Sequence, residues 1–305
     1  MNVNRQLLAT WWTWAGEISP LRMNDPSPVG IHERLQAVAD AGWSGVSFIH
    51  SDVARLRDSV GLDTLKSLLD DHGLHQVELE CVSNWWTDGD DRRASDGVRA
   101  ELFSAAGPLG VTTVKAAPEL HGFGRREGVP YGRFADEFGA LADEAKSHGL
   151  RIAIEPMVMS NLRSVEDGAN FVGYVGHSHG GLVVDAWQVA RGGHSPGELE
   201  DILPMDQVFI VELDDGDAEA KADFWTETLN NRAIPGDGQM DTVAFVAALV
   251  KAGWTGHWGV EVLSSDLRAL PVAEAATLVH DKTTAVLEAA EATLRIMNEH
   301  TTTGG

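Results

Sequence analysis

The sequence predicts one eight-stranded parallel β/α barrel over residues 1–300, with residues 301–305 as a flexible tail. Three observations lead there. Short apolar runs alternate with helix-patterned segments along the whole chain. Several of those runs, such as Val183-Val184 and Val208-Phe209-Ile210-Val211, are apolar throughout, as strands covered on both faces must be. Glycine stands where the helical stretches end, at Gly42, Gly73, Gly149 and Gly253, the place for a left-handed residue. A doubly wound open sheet is the rival. The first strand lacks the glycine-rich phosphate turn that a dinucleotide-binding sheet of that kind would carry.

The first strand is read over Leu7–Trp14, where alternation would place Trp12 and Trp14 on one face and Trp11 on the other. Ile31, Leu35, Val38 and Ala39 then form an apolar helical stripe ending at Gly42. Ala41-Gly42-Trp43-Ser44-Gly45 leads into the second strand, Val46–His50, and returns as Ala252-Gly253-Trp254-Thr255-Gly256 before the last. His72-Gly73-Leu74 enters the third strand, Gln76–Cys81, and its echo His148-Gly149-Leu150 enters the fifth, Ile152–Met157. Between them lie the fourth strand, Thr113–Ala117, and a helix striped by Phe134, Phe138, Leu141, Ala142 and Ala145. Leu182–Trp187 and Val208–Leu213 follow, then a stripe of Val243, Val246, Ala247 and Val250, and finally His257–Leu263. Eight such units without a break in composition amount to a single (β/α)8 TIM barrel.

Composition narrows the function. Of 305 residues, 43% are hydrophobic, enough for a large core. Lys and Arg number 23 against 46 Asp and Glu, a net charge of −23. Nucleic acid and anionic membrane are therefore excluded as main partners, since both demand a cationic surface. The same charge suits either a bound cation or an ordinary acidic surface. The single Cys81 cannot form an internal disulfide, so a reducing cytoplasm is the expected compartment. No leader-like basic and apolar segment and no 18-residue apolar run is found, in keeping with a soluble protein.

The carboxyl ends of parallel barrel strands converge on one face. Late in their strands stand Glu80, Glu155, Asp185, Glu212 and Glu261, each amid apolar neighbours. One alone would be satisfied by water or an Arg. The last four, on neighbouring strands five to eight, repel one another and need neutralising. A divalent cation does this, and an all-oxygen set suits Mn²⁺ or Mg²⁺ better than Zn²⁺. His50 and His121 close or follow strands on the same face, as proton shuttles or as ordinary loop histidines. Lys115, inside the fourth strand, either binds a substrate oxygen or balances the acids. There are ten Trp against two Tyr. Trp11, Trp43 and Trp254 read as core, while Trp14, Trp86 and Trp187, near strand exits, offer apolar walls for a sugar ring or an aromatic aglycone.

Ile154-Glu155-Pro156, Val184-Asp185-Ala186-Trp187, Val211-Glu212-Leu213-Asp214-Asp215, Arg232-Ala233-Ile234-Pro235-Gly236-Asp237-Gly238 and Gly259-Val260-Glu261-Val262 together resemble the sugar phosphate isomerase/epimerase, or xylose-isomerase-like, barrels. The resemblance runs from Trp11 to about Ala290. It implies a divalent ion held by Glu155, Asp185, Glu212 and Glu261, with Glu155 and Glu261 also acting as acid and base on opposite faces of the substrate. Two positions depart from the family pattern. Gln188 stands where an Asp-x-x-His motif would have His, making it a substrate-side candidate, and Glu212 stands where the strand-seven ligand is usually His. Four carboxylates around a divalent ion leave a formal −2, so Glu212 is expected to be protonated or turned toward substrate or another residue. No cluster of Lys or Arg accompanies the tryptophans, which points to an unphosphorylated sugar, polyol or glycoside.

The expected activity is metal-dependent isomerisation or epimerisation beside a carbonyl. A lyase outcome is the alternative: His50-Ser51-Asp52, Leu65 to Asp71 and Val77-Glu78-Leu79-Glu80 are similar to barrel subunits of C-glycoside deglycosidases. That resemblance implies 3-oxo-glycoside substrates and a small partner subunit; a homo-oligomer is the other assembly considered. A non-catalytic sugar-binding subunit is the third reading, and it would need neither metal nor proton exchange.

Overall fold

The computed structural model describes residues 2–120 and 128–303. Its strands are β1 (Leu7–Ala9), β2 (Gly45–Ile49), β3 (Gln76–Val82), β4 (Thr113–Ala116), β5 (Arg151–Ile154), β6 (Gly180–Asp185), β7 (Val208–Leu213) and β8 (Trp258–Val260). Each is parallel to its neighbour in chain order, and β1 pairs with β8 to close the ring, which disposes of the open-sheet rival. Helices cover the outside. Phe134, Phe138, Leu141, Ala142 and Ala145 all face inward from the helix Tyr131–Ser147, as their spacing predicts. Gly42 and Gly253 end their helices with φ of 95° and 111°, a conformation that costs a residue with a Cβ. The last helix, Val272–Thr303, packs along Ile31–Ala41 and runs past the residue-300 boundary read from the sequence. Among the described residues no helix is long and apolar enough to cross a membrane.

The first strand is shorter than expected. After Ala9 the chain turns into a short helix, Trp11–Trp14. The hydroxyls of Thr10 and Thr13 both donate to the Val260 carbonyl, at 2.9 and 2.7 Å, and the Trp11 N–H donates to Ser47 Oγ at 2.7 Å. These bonds pull the backbone out of the ladder. Trp11 and Trp14 consequently share the buried side, three residues apart, and the alternation expected of a strand does not apply.

Register decides what faces the barrel axis. Lys115 lies beside Ala153, Val183 beside Ile210, and Asp185 beside Glu212. Residues in register on parallel strands point the same way, so these line the interior. Ala153, Val183, Phe209 and Ile210 form a small apolar cluster of their own there. At the bottom His257 closes on Glu78 at 2.7 Å.

Candidate active site and metal centre

Acids reach the upper interior because β5 to β8 deliver them at one level. Asp185 is the last residue of β6 and pairs in register with Glu212 on β7. Glu212 in turn pairs with Gly259 on β8. A Cβ at Gly259 would stand 3.0 Å from Glu212 Cγ, so the missing side chain is what lets Glu212 lie across the barrel. Glu155 and Glu261 sit one residue beyond their strands, yet their N–H groups continue the ladder to Ala116 and Leu213 at 3.2 and 3.0 Å. One carboxylate oxygen from each of Glu155, Asp185, Glu212 and Glu261 lies within 4.8 Å of the others, and all four residues are buried.

Two internal cations accompany them. Lys115 Nζ is 2.8 and 2.9 Å from the two oxygens of Glu212, 3.3 Å from Glu80, 3.4 Å from Glu261 and 3.9 Å from Glu155. Arg232 Nη1 donates to Asp214 at 2.7 Å, Glu261 at 3.2 Å and Asp185 at 3.3 Å. Burial works to lower the pKa of Lys115, but the surrounding carboxylates, Glu212 first, outweigh it and hold the pKa of the ammonium well above its usual range. Burial pushes Glu155 up to about 8 against the pull of Lys115, with repulsion from Glu261 and Asp185 adding to it. For Glu261 burial pulls the same way, yet Lys115 and Arg232 together overcome it and hold that carboxyl below the ordinary value.

Glu155 Oε1 is buried and has no hydrogen-bond partner among the described residues. An orphaned carboxylate oxygen facing three other acids is what a cation site looks like before the cation is counted. The cluster can therefore hold a metal ion, and its all-oxygen donors fit a hard one.

A cavity of about 530 Å³ opens above the cluster. Glu80, Lys115, Glu155, Gln188, Arg232 and Glu261 line its polar base, and Trp12, Trp86, Trp225, Met23, Met157 and Leu263 contribute to an apolar upper wall. Asp185 and Glu212 are not exposed to it. The Asp185 carboxylate also caps the helix Ala186–Arg191, accepting from Gln188 N–H at 2.7 Å. Gln188 accepts from Val158 N–H at 3.1 Å and leaves its buried Nε2 without a partner among the described residues.

Other expected residues lie elsewhere. Trp14 is buried against Phe48 and beneath the Arg34 guanidinium, not along the cavity, because its helical turn points it at the core. Trp187 is likewise only 1% exposed and packs its ring against Arg232, 4.9 Å from the guanidinium carbon, and it is not among the residues lining the cavity. His50 opens the helix His50–Ser59 and does not line the cavity; burial lowers its pKa. His121 lies outside the described residues. Sequence reasoning missed Arg232 and Asp214 as members of the cluster, although both stand inside motifs it singled out. Of Trp12 and Trp14, expected on one face of a strand, only Trp14 was singled out as a wall, whereas Trp12 is the one that lines the cavity.

Residues 35–290 match the family described as xylose isomerase-like TIM barrel. The chain belongs to that family. A 3-dehydroshikimate dehydratase of Pseudomonas aeruginosa is 26% identical over 241 residues, 78% of this chain and 37% of the relative. The chain thus spans just over a third of the curated relatives it matches. Among solved barrels, the IOLI protein, whose structure carries a zinc atom, superposes with a TM-score of 0.76 at 18% identity, covering 92% of this chain and 98% of that one. L-ribulose 3-epimerase superposes with a TM-score of 0.73 at 17% identity, covering 97% and 98%. An epimerase structure and a dehydratase sequence are thus among the proteins this chain resembles.

Proposed function

We propose that this chain is a divalent-metal-dependent sugar isomerase or epimerase acting next to a carbonyl on a neutral, unphosphorylated sugar, polyol or keto-sugar. One observation carries the reading: of the four clustered acids, only Glu155 and Glu261 also reach the cavity floor. Those two can meet both a cation and a substrate. Mn²⁺ or Mg²⁺ held by the carboxylates would polarise the substrate oxygen and acidify the adjacent C–H. Glu261 is the candidate base that takes the proton, and Glu155 the candidate acid that returns one to the other face. Lys115 and Arg232 hold their carboxylates in place and keep the floor from repelling an electron-rich substrate. Among the described residues Lys115 and Arg232 are the cavity's lining cations, and both are already engaged by carboxylates, which favours a neutral substrate over a phosphate or carboxylate. Trp12 and Trp86 supply flat apolar faces for a ring.

A lyase reading is favoured by the size of the cavity. About 530 Å³ exceeds what one hexose fills and leaves room for an aglycone against the upper wall. If the substrate carries a leaving group β to the acidified carbon, the same proton removal expels it. A 3-oxo-glycoside fits that description, and a small partner subunit would then complete the enzyme. The dehydratase relative, named for an elimination, supports this branch of the chemistry.

The test is the Mn²⁺-loaded protein incubated in D₂O with a panel of free and 3-oxo sugars and aryl glycosides, followed by NMR. Deuterium entering beside the carbonyl, with the substrate otherwise intact, supports the isomerase. Release of the aglycone supports the lyase. Glu261→Gln should slow either by roughly 10²-fold or more, the usual scale of acid–base help. Exchange at wild-type rate in that variant would remove Glu261 from the role of base, and no reaction with any of these substrates would refute the proposal.

A further inference from the structure

Glu212 differs from its three fellow acids in what already holds it. Both of its oxygens are engaged by one group, Lys115 Nζ, at 2.8 and 2.9 Å. Glu155 keeps an oxygen without a hydrogen-bond partner among the described residues, and the shortest approaches of Glu261 and Asp185 to an internal cation are 3.2 and 3.3 Å. Glu212 is also the most deeply buried of the four, at 0% exposure, and is absent from the cavity floor. Lys115 crosses the barrel from β4 to β7 to reach it, past Ala153, whose small side chain beside it in register leaves the way open.

Charge points the same way. A divalent ion on all four carboxylates would sit in a formal −2 shell with an ammonium pressed against it. If Lys115 and Glu212 cancel each other, the ion meets three acids, a formal −1, and keeps more pull on a substrate oxygen. We infer that Lys115 withholds Glu212 from the metal, so that Glu155, Asp185 and Glu261 alone ligate it and the Lys115–Glu212 pair forms a neutral wall behind them.

This rests on the metal reading above but not on the reaction, and binding measurements test it. Metal-stripped wild type, Lys115→Met and the double variant Lys115→Met/Glu212→Leu are titrated with Mn²⁺. Electron paramagnetic resonance in H₂¹⁷O then counts the waters on the bound ion. The double variant replaces a buried pair by apolar groups of similar size, an exchange that folds often tolerate, and neither new side chain can ligate. The expected result is the same water count in wild type and double variant, with Kd values within about threefold. Lys115→Met, which frees Glu212 to enter the shell, should bind at least tenfold tighter with one water fewer. A double variant with one water more than wild type, and a Lys115→Met count unchanged from wild type, would make Glu212 a ligand already and overturn the inference while leaving the metal reading intact. Wild type that takes up no Mn²⁺ would overturn the metal reading itself, and the inference with it. Should Lys115→Met not fold, the comparison of wild type with the double variant decides alone.

Discussion

Two tryptophans just past β1 show how a residue's fate is settled by its neighbours. Trp12 lines the cavity, while Trp14, two positions on, is 1% exposed and hydrogen-bonds through its indole to the Ser47 carbonyl at 3.1 Å. Trp12→Ala should therefore raise KM for the substrate found in the exchange screen by about tenfold while changing Tm little. Trp14→Ala should cost about 3–5 kcal/mol in denaturant unfolding and leave KM unchanged in the folded protein. A reversal of the two profiles would return Trp14 to the mouth. The acids were legible in the sequence because a lone carboxylate at the end of an apolar run has few structural excuses. The tryptophans were not, since an aromatic is equally at home in a core and on a binding wall. Arg232 was hidden for a related reason: a cation serving the site comes from a loop after β7, where no periodicity marks it.

At the level of elements, the order and number of strands could be read from the chain, whereas their ends could not. Residues 7–14 look extended because Trp-Trp-Thr-Trp satisfies a period of two, but Thr10 and Thr13 bond to Val260 and curl the segment into a helix. That is a contact between β1 and β8, separated by nearly the whole sequence, and no local pattern encodes it. The β7–β8 pair makes a sharper case. Its ladder sets Gly259 beside Glu212, and a methyl there would press on Glu212 Cγ at 3.0 Å and the Val211 carbonyl at 3.2 Å. Gly259→Ala should destabilise the barrel by about 1–3 kcal/mol, the range for overpacking, as read by urea unfolding. If stability were unchanged, β7 and β8 would be less tightly apposed than the register indicates.

Across the whole molecule, charge is arranged along the barrel axis, with the acid cluster above and the His257–Glu78 pair at the bottom. Burial resists charging His257, but the hydrogen bond and charge of Glu78 outweigh it, and its pKa lies above the ordinary 6.5. A folded pKa above the unfolded one means that the pair stabilises fully below about 6.5 and loses that contribution as pH rises through the folded value. The Tm gap between wild type and His257→Gln should be widest in mildly acid buffer and narrow toward alkaline pH; a gap that widens instead would reverse the assignment. The lower interior is also filled, by Ala153, Val183, Phe209 and Ile210. Among the described residues the barrel is thus packed below, and the cavity opens above the acids. If the proposed reaction takes place on the acids, a product that leaves through this cavity backs out past Trp12 and Trp86 by the way the substrate came in, so the two would contend for the same passage and turnover would be bound to the traffic through it.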